Sequence, residues 1–447
     1  MSATAARQAA PVSRWRAPVL FAALAILVIL EGTTRNALFS GSWNTALGIL
    51  NVGLISAVTA LGINMMWGYA GLFNAGVVGF VALGGIAPVI VATPPVAGAW
   101  AAGGPRLLAA LATGLAVIAL AAFAWRRLGA WRGPGVALLL VAGFFAFRLL
   151  FDPAVAAIEA NNAAAAGNIG GLGLPVLLSW PVGAALAAAA AWGVGKVALG
   201  LRSDYLAIAT LGIGEIIVAV LKNEDWIARG VKNMSGIPRP VPYELALQRH
   251  PDFPGFANRF GMGAAEFAGI WVKLGYLSLF LAVLLAVILL AELALNSPWG
   301  RMMRAIRDNE VAAGAMGKNV TARHLQVFVI GCAVIGLSGA MLVTYDGILN
   351  PNAFSPLRYT FLIWVMVIVG GSGNNWGATL GALLIWFLWI KVEVWGPALM
   401  ALLTAPLPDG ALREHLLGSA PHMRFIALGL ILLLVLRFAP RGLVPER

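Results

Sequence analysis

Long apolar stretches recur along the chain and constrain its fold more than any other feature. Twelve of them lie near residues 15–38, 45–67, 75–93, 106–124, 134–151, 173–195, 205–221, 270–294, 324–345, 358–370, 376–392 and 424–438. Several reach the roughly 20 residues that a helix needs to span the hydrocarbon core of a bilayer. The sequence therefore predicts an all-α polytopic membrane protein with a single transmembrane domain over residues 1–447. We expect 10–12 transmembrane helices, and ten if the breaks at 68–74 and 370–375 are re-entrant turns.

The net charge of +12 is distributed as in a membrane protein rather than a nucleic-acid-binding one. Sixteen of the 30 lysines and arginines fall in five clusters beside apolar stretches: Arg7, Arg14, Arg16; Arg126, Arg127, Arg132; Lys196, Arg202; Arg301, Arg304, Arg307, Lys318, Arg323; and Arg437, Arg441, Arg447. Loops rich in lysine and arginine stay on the cytoplasmic side of a membrane. With twelve crossings, all five clusters and both termini are predicted to be cytoplasmic. We expect contact with lipid and no nucleic-acid partner.

The first apolar stretch, APVLFAALAILVIL, follows a basic start and has the look of a signal peptide. No small-residue cleavage site stands out after it, and Glu31 and Arg35 follow directly. We therefore predict an uncleaved first span.

Residues that carry chemistry are sparse in this chain. Cys332 is the only cysteine and the four histidines are scattered, so the sequence predicts neither a disulfide framework nor a metal site. A phosphate-binding G-x-x-x-x-G-K-[ST] loop is absent, since GAMGKN at 314–319 has the wrong spacing. The chain is predicted to be no enzyme and to bind no cofactor itself.

Two glycine-rich breaks interrupt apolar stretches, MMWGYAGLFNAGVVGFVALGG early in the chain and WVMVIVGGSGNNWGATLGA late in it. Irregular backbone at membrane depth is tolerated only where it is buried in protein or lines a cavity, and paired breaks point to a transport path. The alternative is that the glycines only let helices pack closely. The residues that we assign to a substrate path are Gly68, Gly71, Asn74, Gly76, Gly370, Gly371, Gly373 and Asn374.

Ionisable residues within the apolar stretches are few. Glu215, inside LGIGEIIVAV, is the best candidate for a path or gating residue, and the alternative is a buried structural carboxyl bonded to a neighbouring helix. Four others lie near the ends of spans, where snorkelling accounts for them: Arg148, Lys196, Glu292 and Lys391. A single carboxylate well inside an apolar stretch gives little support for a proton relay.

Residues 297–320 form a charged segment, SPWGRMMRAIRDNEVAAGAMGKNV, between two of the most apolar stretches. Ser297 is a good N-cap, Pro298 suits the first helical position, and Gly317 suits a helix stop. A helix here could lie on anionic lipid, but Asp308, Asn309 and Glu310 favour contact with another protein. We predict one cytoplasmic docking helix.

Two other segments look like loops. Residues 222–268 contain five prolines and mixed charge, and we expect an extracytoplasmic loop with some structure of its own. Residues 152–172, which include NNAAAAGNIGGL, are typical of a flexible connector.

Several of these segments resemble one family. The stretch from SPWGRMMRAIRDNE to YDGILNPNAFSP resembles the permease subunits of branched-chain amino acid ABC transporters, closest to their M-type subunit and related to urea permeases. GYAGLFNAGVVGFVALGG, LRSDYLAIATLGIGEIIVAVLKN, SGIPRP, VIVGGSGNNWGATLGA and APRGLVP match in order and spacing. The resemblance covers most of 45–94 and 173–445. Residues 95–172 then look like an insertion that carries two extra helices.

The resemblance implies an ABC importer permease fold in which residues 297–320 are the cytoplasmic coupling helix that seats in an ATP-binding subunit. The family's E-x-A-A-x-x-x-G core falls on Glu310, Ala312, Ala313 and Gly317. The residues implied in coupling are Arg301, Arg304, Ile306, Arg307, Asp308, Asn309, Glu310, Ala313 and Gly317. The Leu-Pro that closes this loop in other importers is missing.

The function implied is a permease subunit that imports branched-chain or other hydrophobic amino acids across a bacterial inner membrane. The implied partners are ATP-binding subunits that use ATP and Mg²⁺, a sister permease subunit and a periplasmic solute-binding protein. A mostly apolar wall suits a branched aliphatic amino acid, and urea or a short amide is the alternative solute. The chain departs from the family's usual pattern at Asn74, where a small or apolar residue is more usual, and at Asn374 and Asn375, which make the second break more polar. A secondary transporter driven by an ion gradient and a non-transporting scaffold are the rival functions.

Overall fold

The computed structural model describes residues 15–36, 38–127, 129–161 and 167–446, and in this part of the chain the fold is almost entirely helical. Arg7, Arg14 and Arg447, three of the predicted cytoplasmic positions, lie outside the described residues, as do residues 162–166 of the predicted connector. The helices of the first half are α1 (Arg16–Thr33), α2 (Trp43–Ile63), α3 (Val77–Gly85), α4 (Ala87–Ala92), α5 (Ala97–Arg127), α6 (Arg132–Ala160), α7 (Ser179–Ala198), α8 (Ser203–Asn223) and α9 (Asp225–Ala228).

The second half continues with α10 (Glu244–Arg249), α11 (Phe253–Asn258), α12 (Ala264–Asn296), α13 (Pro298–Asp308), α14 (Glu310–Ala315), α15 (Val320–Asp346), α16 (Leu362–Gly370), α17 (Asn375–Thr404), α18 (Ala411–Gly418) and α19 (Met423–Phe438). A π-helical turn, Asn64–Gly68, extends α2, and another, Leu357–Phe361, precedes α16. Two short strands, β1 (Met234–Ser235) and β2 (Ile348–Leu349), pair antiparallel, with Met234 opposite Leu349.

The number of spans agrees with the sequence prediction. In the described residues ten helices are long and apolar enough to cross a membrane, and two shorter apolar segments, Val77–Ala92 and Leu357–Gly370, complete the set of twelve. The all-α polytopic fold is therefore confirmed. Both short segments adjoin a glycine-rich break, because the chain leaves the helix at the glycines and asparagines before a full crossing is complete.

The two ends of the bundle differ. One end, which we call the α13 end, carries α13, α14, both glycine-rich breaks and residues 439–446. Ala17 near the start of α1 and Glu446 near the end of the chain line the same cavity there. The β1–β2 pair and the helices α9–α11 lie at the opposite end, between the end of α8 and the start of α12. Residues 1–14 and Arg447 lie outside the described residues, so the predicted side of the two termini stays a prediction.

The centre of the bundle is built by α2, α15 and α17. Helix α2 packs on both α15 and α17, α3 packs on α15, and α16 packs on α17, with Leu61, Ile335 and Ala378 almost inaccessible. Glycines permit these close approaches: a Cβ built on Gly84 of α3 would overlap the carbonyl of Gly336 in α15. Small residues at helix crossings are the usual means of tight packing in membranes.

Helices α5 and α6 form a hairpin that packs mainly on itself at the edge of the bundle. It has its own apolar cluster of Ala99, Leu107, Ala154 and Ile158, and most of its remaining surface is exposed. The hairpin touches the rest of the protein chiefly near Trp226. Two extra helices are therefore present over 95–172, and their status as an insertion stays a prediction.

A buried ion pair joins α1 to α17. Lys391 Nζ lies 2.7 Å from Glu31 Oε2, and both side chains are at most 2% exposed. Ser40 donates its hydroxyl to the other carboxylate oxygen at 2.7 Å. The snorkelling that we expected for Lys391 is wrong, because the ammonium points to a carboxylate inside the protein rather than to the membrane surface. Helix α1 is thus an integral part of the bundle.

Candidate functional site

The charged segment folds into two helices rather than the single one that we predicted. Ser297 caps α13, and its hydroxyl accepts from the amides of Trp299 and Gly300 at 3.2 and 3.4 Å. The chain is extended at Asn309, whose side-chain oxygen accepts from Ala312 N at 2.9 Å and caps α14. Asparagine favours such a cap over a helix interior because its side chain competes for backbone amides. The one-helix prediction is therefore wrong at Asn309.

The two helices rest on the bundle through a small apolar face. Met303 and Ile306 of α13 and Ala313 of α14 are buried in the main core. Gly317 ends the segment with a φ of 78°, a left-handed conformation that glycine adopts without strain. Ile306 and Ala313 therefore anchor the segment, and their side chains are not available to a partner.

Two of the three arginines of α13, Arg307 and Arg304, point back toward the membrane domain. Arg307 donates to the carbonyl oxygen of Gly68 in the first glycine-rich break and, at 2.9 Å, to Glu446 Oε2. Arg304 donates to the carbonyl of Leu295 at 3.4 Å. Arg301 is exposed and makes a long contact of 3.5 Å with the carbonyl of Asn296 at the end of α12. Arg307 is thus a direct link between the charged segment and a break.

The outward side of the segment carries exposed apolar groups between charges. Val311 and Met316 are 83% and 80% exposed. Asp308, Glu310 and Lys318, also exposed, flank them. We call these five residues the α14 surface. An apolar centre with a charged rim is the composition of a surface that another protein covers.

The two glycine-rich breaks meet at the α13 end. Asn64 Oδ1 accepts from the amide of Gly373 at 2.8 Å, and Asn64 Nδ2 donates to Asn375 Oδ1 at 3.2 Å. The hydroxyl of Tyr69 donates to the same oxygen of Asn375. All three side chains are buried. We did not predict Asn64, Tyr69 or Asn375 as site residues; the sequence signal was a polar side chain beside each break.

The remaining part of the first break is tightly packed. Asn74 is fully buried, its carbonyl accepts from Trp364 Nε1 at 3.0 Å, and its amide lies 3.5 Å from Cys332 Sγ. A Cβ on Gly76 would overlap the carbonyl of Thr210. Gly71 alone is exposed. These positions hold helices together in this conformation, and their role in a path stays a prediction.

The end of the chain covers the second break. The amides of Leu443 and Val444 donate to the carbonyls of Val369 and Gly370 at 2.8 and 2.9 Å. Asn374 donates to the carbonyl of Pro445 at 3.1 Å. Gly371, with a φ of 118°, adopts a backbone conformation that a side chain would not allow, close to the carbonyl of Val444. We call residues 439–446 the tail; through Glu446 it also contacts Arg307.

A cavity of about 480 Å³ opens at the α13 end. Gly373 and Asn374 line it, so two of the predicted path residues reach open space. Its charged lining residues are Glu292, Arg304 and Glu446. Glu292 accepts from Asn375 Nδ2 at 2.9 Å. The cavity thus lies between the charged segment, the tail and the second break.

The Glu215 side chain is not buried between the helices of this chain. It is exposed on the surface of α8, next to Ile216, which is 62% exposed. Its position is twelve residues from the start of α8, or about 18 Å along the axis at 1.5 Å per residue. The expectation of a carboxyl buried against a neighbouring helix of the same chain is wrong, because the helix presents its other side to α3.

The described residues contain no candidate metal site. Among the residues that the structure describes, no three histidine, cysteine, aspartate or glutamate side chains come together as a metal site.

Comparison with known proteins agrees with the architecture. Residues 135–436 match the family described as "Branched-chain amino acid transport system / permease component". The chain is 32% identical over 254 residues to the "High-affinity branched-chain amino acid transport system permease protein LivM" of Escherichia coli K12, which is 56% of this chain and 58% of that protein. It is 28% identical over 247 residues to the "Probable branched-chain amino acid transport permease protein LivM" of Methanocaldococcus jannaschii, 55% of this chain and 61% of that one.

The chain thus spans about three fifths of the length of these relatives. No solved structure was found to match it. The family match covers two thirds of the residues and begins within α6, inside the hairpin. The matched region includes α8, the charged segment, and the helices α16 and α17 that flank the second break. By this match the chain belongs to the family of permease components of branched-chain amino acid transport systems.

Proposed function

We propose that this chain is a membrane-spanning subunit of an ABC importer for branched-chain aliphatic amino acids. Separate ATP-binding subunits bind ATP and Mg²⁺ and dock on the α14 surface. The observation that carries the proposal is the contact of Arg307, within the charged segment, with the backbone of Gly68 in the first break and with Glu446 of the tail. A docking surface that touches nothing inside the membrane domain could not transmit a movement.

The same contacts suggest how movement passes inward. The tail is bonded to Val369 and Gly370 at the end of α16, so a displacement of α13 acts on both breaks together. The segment itself is short, capped and anchored by Met303 and Ile306, and it therefore moves as a unit. Interfaces packed in this way change between discrete arrangements rather than deforming continuously.

The orientation follows from charge. The α13 end carries the arginines of α13 and the basic residues beside the α7–α8 turn, Lys196 and Arg202, and positive loops stay in the cytoplasm. We therefore propose that the α13 end is cytoplasmic. Residues 224–263, at the opposite end, then face outward, where a solute-binding protein would deliver the amino acid.

The exposed position of Glu215 supports a second membrane subunit. A carboxylate about 18 Å into a transmembrane helix is costly in lipid and normally faces a protein partner or a water-filled path. Ile208, Gly212 and Glu215 share one exposed side of α8. We propose that a sister permease covers this side and that Glu215 lies in the interface.

The test is transport by the whole complex, purified from its native membrane through a tag on this chain and placed in liposomes with its binding protein. We expect leucine to accumulate when ATP is supplied and ion gradients are collapsed by ionophores. Accumulation that follows an imposed proton or sodium gradient and ignores ATP would contradict the proposal. Uptake of urea or short amides, with no uptake of leucine, would contradict the proposed solute and leave the proposed coupling to ATP hydrolysis in place.

A further inference from the structure

A second, much smaller cavity lies in the interior of the bundle, between α2, α15, α17 and the π-helical turn Leu357–Phe361. Its volume is about 20 Å³, and its polar lining consists of Ser56, Thr59, Ser338, Arg358, Tyr359 and Trp386. Trp386 lies eleven residues into α17, about 17 Å from the α13 end of that helix at 1.5 Å per residue. The cavity is therefore near the middle of the membrane, where transporters commonly place their solute.

Two hydrogen-bond donors in this lining have no acceptor. Arg358 Nε and Trp386 Nε1 are buried, and neither has a partner within the described part of the chain. The indole of Trp386 is only 4% exposed. The guanidinium of Arg358 is held 5.1 Å from the ring centre of Tyr359 and 5.3 Å from that of Trp386. Buried donors without an acceptor are rare because each forfeits its hydrogen bond to water.

Two of the hydroxyl groups in the lining, those of Thr59 and Ser338, are already hydrogen-bonded elsewhere. Thr59 lies 2.7 Å from Ser338 Oγ, and both hydroxyls also contact backbone carbonyls of their own helices. The carboxylate of Asp346 is near enough for the Arg358 charge to act on it, but the two form no ion pair within 4.0 Å. The lining therefore offers a positive guanidinium and an indole N–H, each with an unpaired donor, beside a small space. The group that complements such a lining is an anion with planar oxygen acceptors, and guanidinium is well matched to carboxylate.

We propose that this cavity is a binding site for the carboxylate of the amino acid in transit, held by Arg358 and Trp386. The aliphatic side chain of the solute then packs on Val52, Leu342 and Ile363, which complete the lining. The assignment rests on the proposed function, since it presumes that an amino acid passes through this chain.

The site is closed in this conformation. A volume of 20 Å³ has room for about one water molecule and not for leucine. Arg358 stands at the start of the segment whose other end is Gly370, where the tail and the second break meet. Movement of α16 away from α2, driven from the α13 end, would enlarge this cavity. π-Helical turns such as Leu357–Phe361 often occur where a helix serves a function.

The experiment compares uptake of leucine by complexes that carry Arg358→Gln or Trp386→Phe with the unaltered complex, in the liposome assay with ATP. Each change removes one donor and keeps most of the side chain. We expect uptake to fall about tenfold or more for each, because a hydrogen bond to a charged partner is lost. We expect Arg358→Lys, which keeps the charge, to recover part of the loss. We also expect the stimulation of ATP hydrolysis by loaded binding protein to fall in both variants.

Matched controls separate binding from folding. Arg148→Gln and Trp192→Phe make the same changes at exposed positions on α6 and α7 and should leave uptake unchanged. Normal leucine uptake by Arg358→Gln and Trp386→Phe overturns the site and leaves the proposed function in place. Loss of uptake together with loss of monodisperse protein, not recovered by Arg358→Lys, assigns Arg358 a structural role and also overturns the site. Failure of the unaltered complex to carry any amino acid defeats the function, and the site with it.

Discussion

Uptake by a complex that carries Arg307→Glu is expected to fall about a hundredfold or more while ATP hydrolysis continues. Arg307 donates to the Gly68 carbonyl and to Glu446, 2.9 Å away. Glutamate would place a carboxylate against both acceptors, so two charge-assisted hydrogen bonds are replaced by repulsion. The charged segment would keep its apolar anchors and its outer surface, and the ATP-binding subunits would remain docked. Uptake of radiolabelled leucine and release of phosphate, measured on one preparation, give the ratio of transport to hydrolysis.

Arg301→Glu is the matched control for this prediction. It makes the same change of charge on the same helix, at an exposed side chain that does not reach either break. We expect its uptake to stay within about twofold of the unaltered complex, since exposed charges contribute little. Equal loss in both variants would mean that overall charge at this end, and not the contact with Gly68, controls transport. Full uptake by Arg307→Glu would remove the proposed route of coupling.

The second large effect is on stability. Lys391→Ala should lower the free energy of unfolding by about 3–5 kcal/mol, because it leaves the Glu31 carboxylate buried without a counter-charge. The pair is almost fully enclosed, at 2.7 Å, between α1 and α17. The measurement is the temperature at which half of the monodisperse protein is lost on heating in detergent, which should be clearly lower for Lys391→Ala. Lys196→Ala, at an exposed position, should change stability by about 0.5 kcal/mol or less.

The double variant Glu31→Gln/Lys391→Met tests the cause. It removes both charges and keeps similar volume, and buried ion pairs replaced in this way often lose little stability. We therefore expect it to be clearly more stable than Lys391→Ala alone. If the double variant is as unstable as the single one, the packing of the lysine chain matters and the charge does not.

The sequence predicted the spans well because an apolar run of bilayer length leaves few alternatives. It also located the charged segment, whose cap at Ser297 and stop at Gly317 are local features. The break at Asn309 is local too, but the helix formers on both sides of it obscured the cap.

The contacts across the bundle could not be predicted in the same way. Glu31 and Lys391 are 360 residues apart, and Asn64 and Asn375 are 311 apart. Within a membrane, a helix face that packs on protein and one that meets lipid are both apolar, so the sequence does not tell which is which. That is why Glu215 was expected inside the chain and lies on its surface. The unpaired hydrogen-bond donors of Arg358 and Trp386 likewise could be found only from the three-dimensional structure.

The most direct measurement of the central claim is cross-linking from the α14 surface. Cys332 is the only cysteine and is fully buried, so Val311→Cys gives one accessible thiol for a photoactivatable cross-linker. In membranes with the native partners, we predict an adduct with an ATP-binding subunit, and none from Leu245→Cys at the opposite end. An adduct from Val197→Cys near the end of α7, with none from Val311→Cys, would contradict the docking of the ATPase on this segment.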